Sequence, residues 1–213
     1  AFYVVDAQRG YGLRPNARGQ YLREGRAKVE INAAGFRGPL PVHSPGESVY
    51  RIAVLGDSFT EGLQVDEDET WVKGLQNQLN NLENCSLLAG RKSEVLNFGV
   101  GGYGTGQSLL SWRHQVRDFR PNLVILAVYP GNDFLDNQPG PRGDRPGFWL
   151  LEDGSLEQDN EFRLSFGYRL RVSTPGRILD ALINHSRLLQ LLNESKNRFV
   201  AFRRSPNSPR LSS

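Results

Sequence analysis

The sequence predicts an α/β fold in which a parallel sheet is covered by helices on both faces. Three strand-like runs, Tyr50–Leu55, Glu94–Phe98 and Asn122–Tyr129, alternate with two segments of helical spacing, Thr70–Leu82 and Thr105–Phe119. Strands this apolar, joined by helices, are those of parallel sheets buried on both sides. Each run also stops abruptly at small or polar residues: Gly56-Asp57-Ser58, Gly99–Gly104 and Pro130–Asp133. Ligands of open parallel sheets bind outside the carboxyl ends of the strands, so these three segments are the candidate site.

The first 48 residues read as a small β appendage with a linker. Tyr21–Arg23 and Ala27–Ile31 flank Glu24-Gly25-Arg26 as a hairpin, with turn material over Arg14–Gly19 before it. A loop, Ala33–Gly38, follows; Pro39, Pro41 and Pro45 then make an extended connection. The Arg and Tyr residues of this segment either pack on the domain or line a substrate groove. The α/β domain is expected over 49–204. In its first helix Trp71, Leu75, Leu79 and Leu82 recur at helical spacing, and in its second Leu109, Trp112, Val116 and Phe119 share one face. An irregular insertion is expected over 137–170. Within it Phe148–Leu151 and Ser155–Gln158 flank Asp153-Gly154 as a second hairpin, a surface excursion or a lid. Ile178–Phe199 reads as one or two amphipathic helices, and 205–213 as a flexible tail.

Composition narrows the function. No run of about 18 apolar residues is present, so no segment spanning a membrane is expected. The net charge is only +3, with basic residues scattered among acids, which argues against nucleic acid as a partner. Cys85 is the only cysteine and cannot form an internal disulfide. The absence of methionine reads as a processed or excised segment.

The strand ends carry the chemistry. A strand that stops at Gly56 and then offers Ser58 at a helix start exposes a nucleophile. Gly99, Gly101 and Gly104 fit the G-x-G-x-x-G spacing of a dinucleotide site, but after the second core strand instead of the first. They equally fit a tight turn with close helix packing, or a loop that lends an N–H to catalysis. Gly131-Asn132-Asp133 is a polar turn, or a turn that points the Asn132 amide toward Ser58. Two or three such donors are what the oxyanion of acyl transfer needs.

Gly56-Asp57-Ser58-Phe59 with Gly62, Asn97–Gly102 and Gly131-Asn132-Asp133, in this order, resemble the first three sequence blocks of the SGNH, or GDSL, serine hydrolases. The resemblance spans roughly residues 50–137. It implies a three-layer, flavodoxin-like α/β/α fold and hydrolysis of ester or thioester bonds, with a carbohydrate or small-molecule ester as substrate and no metal or organic cofactor. It also implies Ser58 as nucleophile and oxyanion donor, with Gly102 and Asn132 as further donors. Asp57 and Asp133 would be structural neighbours. The resemblance to secreted members, with the missing translation start, points to an exported, periplasmic protein.

The family's fourth block, D-x-x-H, is missing. The residues three before His43, His114 and His185 are Leu40, Ser111 and Leu182. His185, with Asp180 five residues earlier, is the best of the three candidates for the base. The expectation is an α/β domain that is C-terminally incomplete, with its remaining strands and D-x-x-H beyond Ser213. The alternative is a catalytically impaired binding or assembly module.

Overall fold

The computed structural model describes residues 2–22, 24–138, 144–186, 188, 189 and 191. They divide into two compact units, separated between Ser165 and Phe166. The first holds the N-terminal segment together with the parallel sheet.

The chain begins with a hairpin that periodicity did not suggest, β1 (Tyr3–Asp6) against β2 (Gly10–Leu13). Its turn closes because the Asp6 carboxylate accepts the N–H groups of Gln8 and Arg9, both at 2.8 Å. The hairpin expected around Glu24-Gly25-Arg26 is present, β3 (Arg18–Tyr21) against β4 (Ala27–Glu30). Its first strand starts inside the stretch expected to be turn, and Arg23 lies outside the described residues. Both hairpins pack on the strand-end loops of the sheet: Leu13, Ala17, Val29 and Ile31 form one core cluster with Leu63, Val100 and Tyr103.

The sheet itself has β5 (Val49–Leu55) at its centre. A four-residue helix follows, α1 (Ser58–Glu61), then α2 (Trp71–Asn81), β6 (Lys92–Asn97), α3 (Thr105–His114) and β7 (Leu123–Leu126). All three strands are parallel, in the order β6-β5-β7. Successive side chains of β5 go to opposite faces. Tyr50, Ile52 and Val54 meet Val72 and Leu79 of α2 on one face, while Ala53 and Leu55 meet Phe36, Val116 and Phe119 on the other. The protein is therefore a mixed α/β structure built on a parallel sheet flanked by helices.

Three expectations shift. The helix expected over Thr105–Phe119 breaks at Gln115 (φ −143°, ψ −58°) and continues only as a 3-10 turn over Val116–Phe119. The cause is tertiary: the Gln115 amide donates to the Ala34 carbonyl at 2.6 Å and its oxygen accepts from Arg9. The strand expected over Asn122–Tyr129 pairs only through Leu126, and its Val124 and Leu126 are exposed. Within 137–170 the expected hairpin forms, its first strand one residue earlier and its second one residue later than expected, as β8 (Gly147–Leu150) with β9 (Leu156–Asp159).

The second unit opens with α4 (Phe166–Val172) and α5 (Thr174–His185). The latter starts four residues before the expected Ile178, because Ser173 caps it by accepting the Gly176 N–H. The expected tail at 205–213 lies outside the described residues.

Gly74 is inside α2, and a Cβ there would meet nothing within 4 Å. Gly74→Ala is therefore expected to stabilise the protein by about 0.5–1 kcal/mol, since alanine loses less backbone entropy in a helix. An upward shift of the thermal melt checks it.

Candidate active site

The strand-to-helix turn after β5 leaves no room for a side chain at Gly56. A Cβ there would lie 2.3 Å from Thr60 Oγ1. Asp57 then caps α1, its carboxylate accepting the Phe59 N–H at 2.9 Å, and Gly62 closes the helix in the left-handed region (φ 64°). Ser58, the first residue of α1, is half-buried.

The end of β6 is stapled to this helix. Asn97 donates from Nδ2 to the Thr60 carbonyl at 2.7 Å and accepts the Gly99 N–H at 3.0 Å. Backbone then meets backbone, since a Cβ on Gly99 would be 2.3 Å from the Glu61 nitrogen. Gly101 lies beside the nucleophile candidate, its ideal Cβ position 3.7 Å from Ser58 Cβ, and Gly102 takes φ 77°. Beyond Gly104 the start of α3 is closed. The Gly106 N–H is taken by Asn137 Oδ1 at 2.8 Å, and the Phe148 ring occupies the space a Gly106 side chain would need. These glycines serve a packed turn, with no open cradle for a pyrophosphate at the helix start.

At the end of β7, the Asn132 amide donates to Asp136 Oδ2 at 2.7 Å and to Asp133 Oδ1 at 3.3 Å. Asp133 is buried, and its other oxygen accepts the Tyr129 N–H at 2.8 Å. Burial pushes the Asp133 carboxyl above its ordinary range, with the charges of Asp57 and Asp136 adding to the effect. Arg145 joins two strand ends: it pairs with Asp136 Oδ1 at 2.8 Å and donates to the Gly102 carbonyl at 3.2 Å. The Phe59 and Tyr129 rings meet 5.0 Å apart, and both are exposed.

Ser58, Gly102 and Asn132 thus sit at the carboxyl ends of three neighbouring strands. Two histidines do not join them. His43 is exposed, and its carbonyl accepts from Arg51, roughly 20 Å back along β5 from Ser58. His114 is exposed at the far end of α3, roughly 14 Å along the helix from Thr105. His185 ends α5 in the second unit, and its side chain lies outside the described residues.

Sequence reasoning missed Glu61, and it raised the tyrosines of the N-terminal segment, which include Tyr3 and Tyr11, only together, as packing or groove-lining residues. Glu61 is fully buried; both its oxygens accept from the Tyr3 hydroxyl, at 2.8 and 2.9 Å, and one accepts the Gly101 N–H at 3.1 Å. Burial pushes its carboxyl up to about 7, against the pull of those hydrogen bonds and of Arg37. A charged residue between Thr60 and Gly62, inside an otherwise buried turn, was the available signal for Glu61. Nothing local marked the two tyrosines.

Among the described residues no cluster of His, Cys, Asp and Glu is arranged to hold a metal, and no helix is long and apolar enough to cross a membrane. The chain matches no protein-family model, no curated protein and no solved structure.

Proposed function

We propose that the chain is a serine esterase of the SGNH type, cleaving acyl or acetyl esters of a carbohydrate or small alcohol. The observation that supports it is that three neighbouring strands of one parallel sheet end on the same side, the central one running into a half-buried, helix-starting Ser58 packed beside Gly101. Ser58 attacks the ester carbonyl, the C–O bond to the alcohol breaks with the base returning the proton to the leaving oxygen, and water then hydrolyses the acyl-Ser58 ester to release the acid. The Ser58 N–H, that of Gly102 and the Asn132 amide receive the oxyanion, each donor being worth about 3 kcal/mol. The base that takes the Ser58 proton is a group outside the described side chains. The flavodoxin-like, three-layer arrangement belongs to this proposal.

A second reading is a binding or assembly module without a base. The observation favouring it is that the Asn132 amide already faces two carboxylates, one of which an oxyanion has to displace.

Fluorophosphonate labelling separates them, on this chain and on one extended past Ser213 to any D-x-x-H. The esterase is expected to be modified at Ser58, with labelling abolished in Ser58→Ala and ester hydrolysis reduced by orders of magnitude. No Ser58-dependent labelling in either form sinks the esterase and leaves the binding module.

A further inference from the structure

We propose that Tyr11 and Glu61 are positioning residues that aim the Gly102 N–H at the oxyanion, so that the N-terminal hairpin is part of the catalytic apparatus. This rests on the esterase reading above.

The Gly101 carbonyl and the Gly102 N–H belong to one planar trans peptide, so fixing the direction of one fixes the other. The Tyr11 hydroxyl donates to the Gly101 carbonyl at 2.9 Å. Two consecutive glycines would otherwise leave this peptide free to rotate, because neither carries a Cβ to restrict it. The preceding amide is held as well: the Gly101 N–H donates to Glu61 Oε2 at 3.1 Å. Glu61 is three residues after Ser58 in α1, so nucleophile and glycine loop are referred to the same short helix.

The hairpin supports both contacts. Tyr3 donates to the Glu61 carboxylate, and its ring meets that of Tyr11 edge-on, 6.0 Å apart. Tyr103 in turn donates its hydroxyl to the Tyr11 carbonyl. Arg37 holds the other end of α1 by donating to the carbonyls of Glu61 and Gly62. A side chain at Gly101 would meet Glu61 Oε2 at 2.8 Å and the Tyr3 hydroxyl at 3.0 Å, so the space around this peptide is full.

The charged and titratable groups facing Glu61 are Tyr3 from β1, Tyr11 from β2, Tyr103 from the glycine loop, Arg37, and Asp57 on its own helix. Burial pushes the Glu61 carboxyl up to about 7, so rising pH adds a negative charge to the side chain that holds the Gly101 N–H.

Ester hydrolysis and fluorophosphonate rates are compared for the wild type, Tyr11→Phe, Glu61→Gln, Glu61→Ala and Ser58→Ala. Tyr11→Phe is expected to lower kcat about tenfold or more with KM little changed, because an oxyanion donor acts in the transition state. Glu61→Ala is expected to lose a similar factor. Glu61→Gln can still accept the Gly101 N–H and donate to the Tyr3 oxygen, so it restores the rate. It also removes the wild type's relative loss of rate as pH rises through about 7. If Tyr11→Phe and Glu61→Ala react like wild type while Ser58→Ala does not react, the positioning roles are overturned and the esterase stands. If wild-type Ser58 reacts neither in this chain nor in the form extended past Ser213, both fall, and that result alone identifies the esterase reading as the failure.

Discussion

Replacing Arg51 by methionine is expected to cost about 4 kcal/mol of stability, a loss of roughly 10 °C in the thermal midpoint. Arg51 lies on the central strand with a completely buried side chain. Its guanidinium closes the amino-terminal end of the sheet. Nη1 donates to the Phe119 carbonyl at 2.6 Å and to the His43 carbonyl at 3.0 Å, Nη2 to the Val42 carbonyl at 2.8 Å, and Nε to Glu94 at 2.6 Å. Three of these acceptors are backbone carbonyls from two separate segments. Methionine fills much of the volume but leaves them unpaired, at about 1–3 kcal/mol for each one that water cannot reach. Lysine keeps the charge but lacks the planar fork that reaches all of them, so Arg51→Lys should fall between. Glu94→Gln should cost much less, because Glu94 is partly exposed and the carbonyl bonds survive its loss. Denaturant titration checks the order: the midpoint should move with little change in slope. A midpoint for Arg51→Met within error of wild type would overturn the assignment.

Arg51 also shows where sequence reading stops. It stands at the start of an apolar run and gives no hint that it will be the most heavily bonded side chain of the sheet. What periodicity reports well is burial along one element, and so β5, β6 and α2 are found within two residues of their expected ends. Turn chemistry reports local geometry, and Asp153-Gly154 correctly marks the hairpin of β8 and β9. Ser58, Gly102 and Asn132 were legible as residues at strand ends because a parallel sheet gathers its carboxyl ends on one side. Their environments were not. The Asn132 amide meets Asp136 one turn on, where the Asp136 N–H donates to the Asn132 carbonyl, and Arg145, on a segment with no periodic pattern, pairs with the same carboxylate. Tyr3 and Tyr11 are 58 and 90 residues away from their partners Glu61 and Gly101, a separation that no local pattern encodes. The break of α3 at Gln115 has the same origin, a side chain given over to contacts with the N-terminal segment.

Gly99→Ala is expected to damage both stability and the site, by about 3 kcal/mol in the first and by orders of magnitude in Ser58 labelling. The methyl group would lie 2.3 Å from the Glu61 nitrogen, 2.6 Å from the Thr60 carbonyl carbon and 2.7 Å from Thr60 Cβ. These are atoms of the α1 backbone or rigidly attached to it, so α1 itself has to move. Overpacking a well-filled interior typically costs about 1–3 kcal/mol, and here the neighbour that must yield carries Ser58. The displacement would also strain the Asn97 bonds that tie β6 to α1. Gly101→Ala offers the contrast. Its nearest contacts are the carboxylate of Glu61 and the hydroxyl of Tyr3, side-chain ends that can withdraw, so it should cost less stability. Their withdrawal releases the Gly101 N–H, however, so labelling should still suffer. Comparing both variants with Gly74→Ala separates backbone contact from the general effect of adding a methyl group, because Gly74 has open space. If Gly99→Ala melts as high as Gly74→Ala, the backbone-to-backbone contact of β6 with α1 is not the constraint that fixes Ser58.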